Sequence, residues 1–292
     1  MIVNKLRVLS LSCLLLLGLG GCASQQIGSK SSVVEYLYPK EDAPVIQPSI
    51  PVLKLPIKLG VAFVPEQASL GGGTNFWTGR SIGSEGLTEA KKMDILEKIA
   101  SHFKAQKFIG EIQTIPSAYL TPGGSFTNLD QIKTMYGVDV IALVSYDQVQ
   151  FTDEGMLSLS YWTIVGAYLI SGQKNDTNTL IDTVVYDIES RKMLFRAPGT
   201  SIVKGRSTPV NLTEELRDDS VKGFELSTNE MIKNLDMQLA AFREKAKQRP
   251  EEIKVVRSSG YSGGGGAMEW VLILLLGSLL FTRRRNKSIV GK

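Results

Sequence analysis

Residues 270–281, Trp270 to Phe281, carry no charge and are almost wholly apolar, and they cannot be counted into an ordinary water-soluble core. Gly263-Gly264-Gly265-Gly266 and the step Ala267-Met268-Glu269 precede them, and Arg283, Arg284 and Arg285 follow. As a helix this run would be about 18 Å long, against about 30 Å of bilayer hydrocarbon. Such a span is short. It relies on Trp270 at the interface and on arginines that snorkel. Glu269 marks its edge, because a charge inside the bilayer is costly. Gly277-Ser278 weaken the helix, and the four glycines before it resist ordering. The arginines are expected on the cytoplasmic side. On these residues alone, an ordinary C-terminal anchor and a substrate for an intramembrane protease both fit.

The head of the chain answers the tail. Lys5 and Arg7 precede the apolar Leu14-Leu15-Leu16-Leu17, and the segment closes at Leu19-Gly20-Gly21-Cys22. A basic start, an apolar middle and a small-residue end make a secretory signal peptide. Cys13 lies inside its apolar stretch, so Cys22 is the sole cysteine left after removal. No disulfide within the mature chain and no cysteine metal cluster can then form.

The order of glycine tract, short apolar run and arginine cluster resembles the GlyGly-CTERM sorting signal, over roughly Gly260 to Lys287. That resemblance implies cleavage by a rhomboid-like protease, rhombosortase, within or just after Gly263, Gly264, Gly265 and Gly266. Leu19-Gly20-Gly21-Cys22 resembles a bacterial lipobox, which implies acylation of Cys22 and loss of residues 1–21. Multiple acyl chains hold a protein stably where one does not. Ala23-Ser24 after the cysteine, with no aspartate, imply transport to the outer membrane by the sorting rules of that class. Both signals in one chain resemble the rhombotarget lipoproteins. The partners this implies are membrane lipid at Cys22, a rhombosortase-like protease and an envelope protein.

The whole chain has 33 Lys+Arg and 29 Asp+Glu, a net charge of +4. The head holds Lys5 and Arg7. The tail holds Arg283, Arg284, Arg285, Lys287 and Lys292 against Glu269. The stretch between them therefore carries 26 cations and 28 acids. With no basic excess there, the electrostatic case for nucleic-acid binding disappears. The organisation expected is a signal peptide over 1–21, a Pro-rich lipid-anchored tether over 22–56, and a globular domain over 57–248. A Gly-rich linker over 249–266 and the sorting tail over 267–292 follow. The tether has Pro39, Pro44, Pro48, Pro51 and Pro56, with Val33, Val34, Tyr36, Leu37 and Tyr38 docking locally.

Within the domain, Lys58 to Pro65 is a short apolar run that predicts a buried strand. Gly71-Gly72-Gly73 follow it, but the Lys-Ser/Thr of a phosphate loop is missing. Phe76 and Trp77 on that loop are candidate partner contacts. Leu87 to Gln106 has Ile95, Leu96, Ile99, Ala100 and Phe103 on one helical face. Phe108 to Pro116 predicts a second strand. Thr127 to Tyr136 predicts a short helix capped by Thr127 and stopped by Gly137. Val138 to Tyr146 predicts a central strand. Leu157 to Ile170 reads as a core strand, since Trp162 to Ile170 is too short for a helical span. Thr179–Tyr186 and Met193–Lys204 flank a hairpin turn at Asp187–Lys192. Thr213 to Lys247 predicts a helix or helix pair, with Gly223 as the candidate break and Gln248-Arg249-Pro250 as its stop.

The fold class this gives is α+β: a mixed sheet with an early β-α-β-α-β segment, a late hairpin and a C-terminal helix. The topology resembles periplasmic lipoprotein domains of curli-export and penicillin-binding-protein-activator type, over about Lys58 to Lys247. His102 is the sole histidine, and it is expected to be a partly exposed helix residue rather than a general base. The pairs Asp153-Glu154, Asp218-Asp219 and Glu251-Glu252 read as surface charges. No Gly-x-Ser-x-Gly elbow is present, and no cofactor, metal or catalytic residue is implied. A non-catalytic envelope domain is the leading expectation, with a surface-delivered hydrolase as the alternative.

Overall fold

The computed structural model describes residues 24–39, 49–66, 73–74, 78, 81–82, 86–154 and 173–258. The strand expected over Leu157 to Ile170 lies outside them. Along the chain come β1 (Ser24–Lys30), α1 (Val33–Leu37), β2 (Val52–Leu55) and β3 (Ile57–Phe63). A small hairpin, β4 (Gly73–Thr74) and β5 (Ser81–Ile82), precedes α2 (Glu89–Lys104) and β6 (Ile109–Ile115). Then come α3 (Ser125–Tyr136), β7 (Val140–Glu154), β8 (Gln173–Asp187), β9 (Lys192–Ser207), α4 (Leu212–Gln248) and β10 (Lys254–Arg257). The expected α+β class is what the chain adopts.

One six-stranded sheet dominates, in the order β6-β3-β7-β8-β9, with β1 also beside β7. β3 pairs parallel with β6 and with the start of β7. β8 and β9 add antiparallel. The base of the sheet is covered on both faces. On one face α2 and α4 bury Ile95, Leu96, Ile99 and Phe103, and Phe224, Met231, Leu235 and Leu239, against Leu59, Val61 and Phe63 of β3. On the other, α1 and α3 bury Tyr36, Leu37, Leu129 and Ile132 against Ala62, Ile141 and Leu143. A strand buried on both faces is apolar at nearly every position, which is why Leu59–Val64 and Val140–Val144 are legible as apolar runs.

Beyond the base, β7 and β8 stay paired to Glu154 and Gln173, forming an arm with β1 and β9. All three of its longer strands outrun their predicted ends, and among the described residues α4 lies along the arm's inner face. The seam there is polar. Gln150 Nε2 donates to Thr177 Oγ1 at 3.0 Å and to the Leu216 carbonyl at 2.7 Å. Gln148 Nε2 donates to Thr179 Oγ1 at 2.8 Å, and Ser220 Oγ donates to Gln148 Oε1 at 2.6 Å. Three glycines permit the close approach. A Cβ on Gly199 would meet the backbone at Ser227 and Met231, one on Gly205 would meet Asp219 Oδ2, and one on Gly223 would meet Thr179 Oγ1.

Several expectations are corrected. Gly223 does not break the last helix, which runs unbroken from Leu212 to Gln248; its bare Cα is what lets the helix touch β8. Helix α3 starts two residues before Thr127, after Gly124, with no side-chain cap, while Gly137 at φ 66° does end it. The stretch read as a tether begins with β1, paired with β7 over Ser24 to Lys30, and continues into α1. Tyr36 of α1 docks as expected, its hydroxyl donating to Asn128 Oδ1 at 2.8 Å. The start of the expected glycine linker holds β10, which pairs parallel with β2. β1 is polar in sequence and becomes a strand by pairing with the long β7, whereas β10 and β2 pair with each other in a separate two-stranded sheet.

Candidate functional site

A cleft of about 1100 Å³ opens between α2 and α4. Its walls are two helices that run the same way over one sheet face. Thr88 caps α2, its Oγ1 accepting from the Lys91 amide at 3.4 Å. Leu87, Ile95, Leu216 and Phe224 give the cleft an apolar lining, and the amides of Gln148 and Gln150 complete it. Lys91, Lys98 and Arg217 stand around it with Asp94, Glu97 and Glu225. Among the described residues none of these six forms an ion pair. Val221, beside them, is 47% exposed. The cleft therefore offers apolar contact in the middle and uncommitted charge of both signs at the rim.

Polar groups mark both ends of the cleft. At one, Lys92 is buried and holds Glu66 at 2.8 Å and Glu89 at 3.0 Å. Burial would lower the Lys92 ammonium, but those two carboxylates outweigh it and hold it above its ordinary value. The Leu87 amide donates to the Tyr146 hydroxyl at 3.3 Å, and burial pushes that phenol well above its usual range. Glu66 and Leu87 flank the segment that carries β4 and β5, so this cluster fixes both of its stems. At the other end, His102 Nε2 of α2 lies 2.9 Å from Asp236 Oδ1 of α4. His102 is partly exposed, as expected, and among the described residues its Nε2 has no hydrogen-bond partner, so it meets α4 by proximity alone.

The positions singled out in the sequence fall as follows. Cys22, the tract Gly263–Gly266, and Arg283, Arg284 and Arg285 lie outside the described residues. Phe76 and Trp77 lie outside them too, between β4 and β5. Of the acid pairs, Asp153-Glu154 ends β7, Asp218-Asp219 sits near the start of α4, and Glu251-Glu252 lies in the turn after it. Glu252 is engaged by Lys245 at 3.0 Å and Arg249 at 2.8 Å. Asp219 is not a surface charge: it is buried, and among the described residues its Oδ2 has no hydrogen-bond partner. Burial first, then the nearby Glu215 carboxylate, raises it above the usual range. Among the described residues, no group of three or more His, Cys, Asp or Glu side chains could hold a metal ion. Among those residues, no helix is long and apolar enough to cross a membrane. The cleft itself was not foreseen, because its lining comes from three distant stretches of chain.

No protein-family model matches this chain, and no curated protein matches it. Among solved structures, the dodecamer of a PelC point variant from Paraburkholderia phytofirmans is similar at 11% identity and a TM-score of 0.27, over 74% of this chain and 96% of that one. A likeness at that TM-score carries no argument about function.

Proposed function

We propose that this is an envelope-anchored lipoprotein, acylated at Cys22 and cut at its glycine tract by a rhombosortase-type protease, whose domain binds a protein partner in the α2/α4 cleft. The two end signals support the addressing part of this reading. The observation that carries the binding part is the cleft, with an apolar lining and six rim charges that form no ion pair among the described residues. Charges of both signs steer a partner and fix its register more than they add affinity. The apolar floor supplies favourable burial, of which only the surplus over ordering and desolvation costs shows as affinity.

Two measurements test this. Intact mass of the protein recovered from its native envelope is expected to show acyl groups on Cys22 and a carboxyl end within 263–266. A mass ending at Lys292, in a host with an active rhombosortase, defeats the sorting part. For the cleft, a photo-crosslinking residue at Val221 is expected to capture one protein repeatedly, and the same residue at exposed Ile202 on the opposite sheet face is expected not to capture that protein. Equal capture of it at both positions defeats the cleft as the docking site.

A further inference from the structure

Strand β9 is an outer edge of the main sheet. β8 pairs with one side of it, and among the described residues no strand pairs with the other. An open edge is a row of unpaired N–H and C=O groups, and folded chains usually blunt it. Part of this edge is blunted. Pro198 has no N–H to offer, and its carbonyl accepts from Asn234 Nδ2 at 2.6 Å. The Thr200 amide and hydroxyl both donate to Glu230 Oε2. Both blocking side chains come from α4.

These contacts also fix which backbone groups point outward. In an antiparallel ladder alternate residues bond to the partner strand, and those between them point away from it. Pro198 and Thr200 point away from β8, and the register runs without a shift from there to Ser207. Ile202, Lys204 and Arg206 therefore point outward as well. Among the described residues nothing hydrogen-bonds to their N–H and C=O groups on that side. Their side chains are open too. Ile202 is 67% exposed, and Lys204 and Arg206 form no ion pair among the described residues.

The charge around this stretch is uneven. β9 carries Lys192, Arg196, Lys204 and Arg206 and no acid. On the outer face Lys204 lies beside Asp176, Arg206 lies beside Lys174, and Asp153 of β7 follows Lys174. The cations are thus the groups nearest the edge. The other face differs, since there Asp219 lies against Gly205.

We propose that the edge from Ile202 to Arg206 takes up an extended segment of a partner protein as an added strand. That strand places an apolar residue beside Ile202 and carboxylates at the alternate positions beside Lys204 and Arg206. In strand addition the main-chain hydrogen bonds give affinity and the alternate side chains give specificity. A polypeptide satisfies the backbone donors, the backbone acceptors and the two cations together; a lipid headgroup or a phosphate has no donor row for the carbonyls. A second copy of this chain fits less well. The arm's other edge strand, β1, reads Ser-Gln-Gln-Ile-Gly-Ser-Lys and has no acid. The α2/α4 cleft is a separate surface, whose lining takes no residue from β9.

The test uses the full acylated chain in detergent and a fluorescent probe peptide, Thr-Glu-Thr-Glu-Thr-Val-Thr, capped at both ends. Anisotropy is expected to show binding with a Kd below about 1 mM. Lys204→Glu/Arg206→Glu is expected to weaken it at least about tenfold. The same variant is expected to bind a probe with lysines in place of the two glutamates more tightly than the unaltered chain does, which an unfolded variant would not do. The backbone is tested by N-methylating alternate residues of the probe. Only one of the two alternate sets of amides points at β9. Methylating one set is therefore expected to abolish binding, and methylating the other to change it by less than about threefold. No binding of the glutamate probe, unchanged binding to the charge-reversed variant, or equal losses from both methylation patterns overturns the proposal. Sedimentation in the same detergent tests the rival occupant. An oligomer that falls apart in Lys204→Glu/Arg206→Glu would assign this edge to a second copy and overturn the acidic partner.

Discussion

Asp219 is a largely buried carboxylate whose Oδ2 has no partner among the described residues, and it faces Gly205 across the seam. Burial and Glu215 raise its folded-state value, so ionising it opposes folding. The penalty is absent below the unfolded value near 3.9 and grows as pH climbs through the raised folded one. Asp219→Asn is therefore expected to stabilise the protein at pH 7 by up to about 1 kcal/mol. The gain should fade as the pH falls toward about 4; thermal denaturation at both pH values reads it. Lys92 is the opposite case. Its ammonium is held above its ordinary value by Glu66 and Glu89, so its contribution is full below the unfolded value near 10.4 and is lost as pH rises through the folded one. Lys92→Met leaves two carboxylates facing each other, and a loss of about 2 kcal/mol at pH 7 is expected in urea denaturation. Neither role can be read from the sequence. Asp218-Asp219 looks like any acidic pair on a helix, and the burial of one member comes from a strand more than ten residues away.

The contact between α4 and the arm is a matter of backbone distance. Gly199 lies directly under the helix, and its missing Cβ would run into main chain at Ser227 and Met231. Main chain in the middle of a long helix cannot step aside, so Gly199→Ala is expected to cost about 3 kcal/mol. At Gly223 the obstacle is a hydroxyl, Thr179 Oγ1, and alanine gains about 1 kcal/mol of helix propensity. Gly223→Ala is expected to lose clearly less than Gly199→Ala; equal losses in urea midpoints would show that the seam is set by something other than close approach. This seam also explains which elements the sequence discloses. Strands at the base are apolar on both faces and announce themselves. Along the arm the helix-facing positions are Gln148, Gln150, Thr177 and Thr179, so no alternation of apolar and polar residues marks the buried side. Read without their partners, these residues look like loop, and Gly223 looks like a helix break. The cleft is hidden for a related reason: each helix shows an apolar stripe, but only their placement on one sheet face leaves a gap between them.

At the scale of the whole molecule, β10 closes the fold by joining the end of the domain to the strand that leads into β3. Ile253 and Leu53 are both buried there, in the same core as Leu59 and Phe103. Burying one such side chain is worth about 1.5–3 kcal/mol. A soluble chain ending at Gln248 loses the parallel pair with β2 and uncovers Leu53, and it is expected to be less stable than one ending at Ser258 by about 2–3 kcal/mol. A cut within 263–266 falls beyond the last hydrogen bond to β2 among the described residues, made by Ser258. Chains ending at Ser258 and at Gly266 are therefore expected to melt within about 0.5 kcal/mol of each other. Comparing the three lengths by chemical denaturation decides whether the domain is complete before the glycines begin. If the chain ending at Gly266 proved much the more stable, residues past Ser258 would belong to the core, and removal of the tail at the glycine tract would disturb the fold instead of only releasing it.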